Sequence, residues 1–117
     1  MPSDAPAIKR RRVEQDGAQV VVVGTASDER RRVAEELAAS RGLAVIPPFD
    51  YPRIVAGQGT IGLEIAEAMP DVAAVLVPIG GGGLASGVAA AVAGLLAGAR
   101  VIGVEPELGA DARDSLA

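Results

Sequence analysis

A chain of 117 residues suffices for one small domain or parts of two; it is half hydrophobic but 2 % aromatic, so its core must be aliphatic. With neither cysteine nor histidine it has no disulfide, no thiolate or imidazole catalysis and no zinc site of the usual kind. The net charge of −4 speaks against nucleic acid, and the basic runs Lys9–Arg12 and Arg30–Arg32 are interleaved with acids, as on solvated helix faces.

In chain order, Pro2–Gln15 reads as a helix with Asp4 as N-cap and Gly17 as its stop. Gln19–Val23 is short and β-branched, hence a buried strand. Ser27 caps a helix over Asp28–Ser40 with Val33, Leu37 and Ala38 on one side, and Gly42 ends it. Leu43–Ile46 is a second strand, halted by Pro47 and Pro48. Phe49–Gly59 reads as irregular, and Thr60 as the cap of a helix over Ile61–Ala68. Val72–Val77 is a strongly apolar strand, Leu84–Ala97 a small-residue helix, Arg100–Val104 a further strand, and Glu105–Ala117 a polar, loop-like tail.

Short apolar strands alternating with helices predict an α/β fold: a mainly parallel sheet with helices on both faces, a three-layer αβα arrangement. The Pro- and Gly-rich stretch 47–59 is the natural crossing between two domains. No apolar run has the length of a membrane span and no signal peptide is visible, so a cytosolic location is expected.

The most informative segment is Val77-Pro78-Ile79-Gly80-Gly81-Gly82-Gly83-Leu84, four glycines between a strand and a helix start. Without Cβ atoms such a backbone turns tightly and converges its N–H groups on an anion, and the following helix adds its own unpaired amides and dipole. A phosphate monoester fits there without a lysine. The bland alternative is a flexible turn, but four ordered glycines cost too much conformational entropy for a mere connection. Gly80-Gly81-Gly82-Gly83-Leu84-Ala85 also satisfies the loose G-x-G-x-x-A dinucleotide fingerprint, with Glu105 near the place of a ribose-binding acid. The Walker pattern fails, because no Lys follows the glycines.

After the last strand, Glu105 and Asp111 are six residues apart in a compact loop with Gly109 between them. Two carboxylates and a carbonyl would suit a hard cation such as Mg²⁺ or Ca²⁺. Two acids in a loop are more often merely solvated.

Taken together, Ala56-Gly57-Gln58-Gly59-Thr60-Ile61, Glu64, the glycine segment and Val101-Ile102-Gly103-Val104-Glu105-Pro106 resemble the fold-type II pyridoxal-phosphate-dependent enzymes, in their threonine/serine dehydratase (ammonia-lyase) and serine racemase branch. The start, with Ala5-Pro6, Lys9 and Gly17-Ala18-Gln19-Val20-Val21, is similar to a segment inside those enzymes. The resemblance implies that residues 1–54 are a small-domain-like βα segment and residues 55–117 part of the large cofactor-binding domain. It implies that Gly80, Gly81, Gly82, Gly83 and Leu84 cradle the phosphate of pyridoxal 5′-phosphate, and that Glu105, the Gly109 carbonyl and Asp111 form a divalent-cation site. It places Ala56–Thr60 close to the cofactor cleft, as a structural turn and helix cap or with a direct role.

The departures from that family are specific. Its Schiff-base lysine lies in an S-x-K-x-R-G motif upstream of everything seen here, whereas the one lysine in this chain, Lys9, has different neighbours. Pro47 and Tyr51 stand where a histidine and a carboxylate would be more usual. No catalytic residue is therefore assigned. The expectation is a piece of an ammonia-lyase acting on a small amino acid, inactive alone. The alternatives are a non-catalytic module for a phosphorylated ligand or partner, and a dinucleotide-binding protein. Open sheet edges in such a piece predict self-association or docking on a partner chain.

Overall fold

The computed structural model describes residues 1–116, in two compact units, Met1–Ile46 and Pro47–Ala117. Among the described residues no helix is long and apolar enough to cross a membrane.

The first unit holds α1 (Ala7–Gln15) and α2 (Ser27–Arg41). Helix α1 starts behind Pro6, not Asp4, because a residue before proline is pushed out of the helical region. Helix α2 ends at Gly42 in the left-handed conformation (φ 64°), which a glycine adopts without a Cβ penalty. The basic runs are paired along their own helices, with Arg10–Glu14 and Arg31–Glu35 at 2.9 Å and Arg32–Glu36 at 2.6 Å. These are the solvated faces expected from the interleaved acids.

The strands predicted over Gln19–Val23 and Leu43–Ile46 do not form. The unit has a single parallel bridge, Pro2 to Val23, supported by the Met1 ammonium on the Val21 carbonyl at 2.7 Å. A strand exists only through a hydrogen-bonded neighbour, and apolar β-branched residues report burial, not the presence of that neighbour. Leu43 and Ile46 remain 58 % and 70 % exposed, so even the expected burial is absent in this chain.

The second unit runs α3 (Pro52–Ala68), β1 (Ala74–Pro78), α4 (Gly83–Leu95), β2 (Arg100–Val104), a 3₁₀ turn at Glu107–Gly109 and the short α5 (Asp111–Ser115). Strands β1 and β2 are parallel, Ala74 opposite Arg100 and Pro78 opposite Val104, with α4 as their crossover. Helix α4 packs on both strands, and α3 packs along α4. Val75, Val77, Val88, Val92 and Leu96 are buried between sheet and helix. Each such aliphatic side chain contributes about 1.5–3 kcal/mol relative to exposure. The α/β class and the parallel strands are as expected. Only the α4-side face is covered here, while Leu76 (67 %) and Ile102 (40 %) are exposed.

Two expectations are corrected in this unit. Residues 52–68 form one helix starting at Pro52, so Ala56–Thr60 is helix interior and not a turn, and Thr60 Oγ1 donates to the Gly57 carbonyl (2.8 Å) inside it. Proline is well placed at a first helical position, and tertiary contact retains the glycines that read as breakers. A Cβ on Gly62 would lie 2.6 Å from Ala91 Cβ, and one on Gly87 would lie 2.6 Å from Gly59 N. Backbone approach this close needs glycine on the seam between α3 and α4. The tail is not a plain loop either, since the 3₁₀ turn and α5 occupy it.

Candidate functional site

The end of β1 and the start of α4 are joined by Ile79–Gly82, and this junction forms one wall of a cleft of about 370 Å³. The cleft is lined by Pro48, Phe49, Gln58 and the run Pro78–Leu84, so all five residues expected to cradle a phosphate lie together on it. Val77 is buried and paired with Gly103, and Ile79 N donates to the Val104 carbonyl at 2.9 Å, which anchors the loop's first end in the sheet. Its second end is the helix itself. Gly82 is the N-cap residue at φ 85°, a conformation that makes glycine the fitting residue there.

No side chain caps α4, and the first helical bond is Ser86 N to the Gly82 carbonyl at 2.9 Å. The amides of the first turn before Ser86 therefore have no side-chain acceptor, and they sit at the positive end of a 13-residue helix dipole. Cβ atoms built on Gly80 or Gly82 would meet nothing within 4 Å, so the loop keeps open space beside it. Gly81 and Gly83 face the other way. A Cβ on Gly81 would fall inside the Phe49 ring, and one on Gly83 would touch Phe49 at 3.4 Å. The ring thus packs against the loop and braces a glycine-rich segment that would otherwise be loose. Asp50, next to Phe49, takes the left-handed conformation (φ 48°) that turns the chain back there.

This geometry suits the phosphate of a pyridoxal cofactor in one respect and not another. An anion has amide donors and space, while no lysine, arginine or histidine is among the cleft's lining residues. Lys9, the chain's one lysine, is an exposed residue of α1. The sequence reading missed Phe49 as a lining residue, because an aromatic in an irregular stretch carries no periodic signal. Gln58 lies within the stretch weighed for an active-site role, but its helical setting was not foreseen.

The acidic loop uses its main carboxylate otherwise than as a free ligand. Glu105 accepts the backbone N–H of Ala112 at 2.9 Å on one oxygen and that of Arg113 at 3.0 Å on the other, capping α5. Gly109 closes the 3₁₀ turn through its N–H to the Pro106 carbonyl (2.9 Å), and Asp111 opens α5 as an exposed residue. Among the described residues no cluster of three His, Cys, Asp or Glu side chains could hold a metal. With both of its oxygens held by these amides, Glu105 is not free to bind a ribose hydroxyl, which weighs against the dinucleotide reading.

Comparison with known proteins agrees with the cleft. The family model described as "Pyridoxal-phosphate dependent enzyme" matches residues 1–117. The L-threo-3-hydroxyaspartate ammonia-lyase of Saccharomyces cerevisiae is 43 % identical over 115 residues, which cover 98 % of this chain and 35 % of that protein. The serine racemase of Schizosaccharomyces pombe is 41 % identical over 115 residues, covering 98 % of this chain and 36 % of its own. The crystal structure of the T.th. threonine deaminase superposes with a TM-score of 0.87 at 46 % identity, over 99 % of this chain and 38 % of that one. The chain spans between about a fifth and a third of the length of the curated relatives it matches. With a match along its whole length and an anion-ready glycine loop in the cleft, the chain belongs to the pyridoxal-phosphate-dependent enzyme family.

Proposed function

We propose that these residues are the phosphate-holding section of a threonine/serine ammonia-lyase that uses pyridoxal 5′-phosphate, and that the polypeptide alone turns over no substrate. The observation that carries the reading is the loop Gly80–Gly83, braced by Phe49, with open space at Gly80 and Gly82 and uncapped amides at the start of α4. Within the proposal, residues 1–54 correspond to small-domain sequence and residues 55–117 to large-domain sequence.

The relatives named for L-threonine, L-threo-3-hydroxyaspartate and serine share one substrate chemistry, a small amino acid with a hydroxyl on the β-carbon. When bound, the cofactor's conjugated ring would take up the electron pair left at the amino acid's α-carbon, so that the β-hydroxyl can leave as water; hydrolysis of the resulting enamine/imine then takes up one water and releases ammonia, giving a 2-oxo acid. The part assigned to this chain is binding and orientation. Amides of residues 80–84 hold the phosphate, and the Phe49 ring keeps the loop in place and water off its outer side. The covalent and proton-transfer roles need an amine set in an S-x-K-x-R-G context, and Lys9, the chain's one lysine, stands between Ile8 and Arg10 instead.

The test uses pyridoxine 5′-phosphate, which keeps the phosphate but has no aldehyde to react with surface amines. It should raise the thermal midpoint in a saturable way while pyridoxine does not, and the chain should form no pyruvate or 2-oxobutanoate from L-serine or L-threonine. Equal effects of the two probes would refute the phosphate site, and turnover would refute the inactivity.

A divalent cation, Mg²⁺ or Ca²⁺, on Glu105, the Gly109 carbonyl and Asp111 belongs to the same proposal and is supported by the resemblance of their spacing to the family's cation site. A calcium titration that stabilises the wild type but not Asp111→Asn would support it, and the absence of any shift would remove it. Self-association or docking on a partner chain is supported by the uncovered sheet face at Leu76 and Ile102, and sedimentation at two concentrations tests it.

A further inference from the structure

We propose that Gln58 is a binding residue of the phosphate cradle, supplying a side-chain N–H donor from α3 across the cleft from the glycine loop. This inference rests on the phosphate reading above and adds a specific residue to it. Of the side chains around the cleft, Gln58 alone carries a polar group; the others are proline, phenylalanine, isoleucine, leucine or glycine. A doubly charged phosphate presents three oxygens, and loop amides converging from one wall leave the opposite side to be met by another donor.

Three features of Gln58 fit that place. It is half-buried in the middle of α3, yet its carboxamide makes no hydrogen bond among the described residues. The carboxamide is accessible from the cleft and committed to no protein partner, so it can donate to an anion there without first breaking a bond within the protein. Its position is also fixed to backbone precision. A Cβ on Gly87 would approach Gln58 C at 2.9 Å and Gly59 N at 2.6 Å, so this turn of α3 lies directly on the α4 backbone just beyond the loop. Finally, a neutral donor suits a site that carries no basic side chain, because it adds specificity for oxygen acceptors without attracting every anion.

The experiment measures affinity for pyridoxine 5′-phosphate and for inorganic phosphate in the wild-type chain, Gln58→Glu and Gln58→Met, with urea midpoints as a folding control. Gln58→Glu keeps the shape but places a negative charge on the cleft, and Gln58→Met keeps the length but removes the donor. We expect the glutamate variant to lose roughly tenfold or more for both probes and the methionine variant several-fold, with pyridoxine unaffected and urea midpoints unchanged. Binding within about twofold of wild type in both variants would overturn the role of Gln58 and leave the loop site standing. If the wild-type chain binds neither probe, the role of Gln58 falls together with the phosphate reading. Loss of binding accompanied by an equal loss of folding in both variants would make Gln58 structural and also overturn the proposal.

Discussion

Replacing Gly87 by alanine tests whether the α3–α4 seam depends on glycine. The added Cβ would lie 2.6 Å from Gly59 N and 2.9 Å from Gln58 C, and closer still to the Val55 carbonyl oxygen. All three are backbone atoms of a helix and cannot turn aside. Restoring an ordinary separation of about 3.5 Å requires α3 to retreat by roughly 1 Å. That movement pulls Ile65 and Ala66 away from the buried cluster of Val88 and Val92. Overpacking of this kind costs about 1–3 kcal/mol, and alanine's better helix propensity returns only about 0.5–1 kcal/mol, so a net loss of about 1 kcal/mol is expected. Gly57→Ala is the internal control: Gly57 is exposed within α3 and a Cβ there meets nothing within 4 Å, so only the propensity gain applies. With a urea slope of about 1.5 kcal/mol/M, the midpoint should fall by roughly 0.5–1 M for Gly87→Ala and rise by about 0.5 M for Gly57→Ala. A Gly87→Ala chain as stable as wild type would refute the seam argument.

Other substitutions address the loop, the turn and the tail. Gly80→Ala adds a methyl in open space at the cleft wall, so stability should stay within about 0.5 kcal/mol while pyridoxine 5′-phosphate binding weakens; paired thermal-shift and binding measurements decide it. Gly82→Ala, at φ 85°, should instead cost about 1–2 kcal/mol of stability, read from urea unfolding. Asp50 has φ 48°, so Asp50→Ile should destabilise by about 1–2 kcal/mol in urea and Asp50→Gly by far less. Glu105→Ala removes the acceptor of the Ala112 and Arg113 amides, so their hydrogen exchange should accelerate and about 1 kcal/mol be lost; unchanged protection would show that the carboxylate does not hold α5.

The features legible in the sequence are those that follow from local chemistry. The tetraglycine junction, β2 at Arg100–Val104, the Gly42 stop of α2 and the self-paired charged helix faces each follow from what one short stretch of backbone or one helix face can do. The parallel α/β character was legible too, from apolar runs alternating with amphipathic ones. Long-range contact settled the rest. Whether Gln19–Val23 and Leu43–Ile46 become strands depends on neighbouring strands, which no local pattern encodes. Gly57 and Gly59 looked like breakers, yet the closeness of Gly87 to Gly59 and of Ala91 to Gly62 is the reason why α3 can lie on α4. From the sequence alone Glu105 could be a free acid, but only the fold brings the amides of α5 onto both of its oxygens. Contacts distant in sequence select among conformations that local propensity leaves close in energy, and so the position of Gln58 and Phe49 beside the loop emerged only in three dimensions.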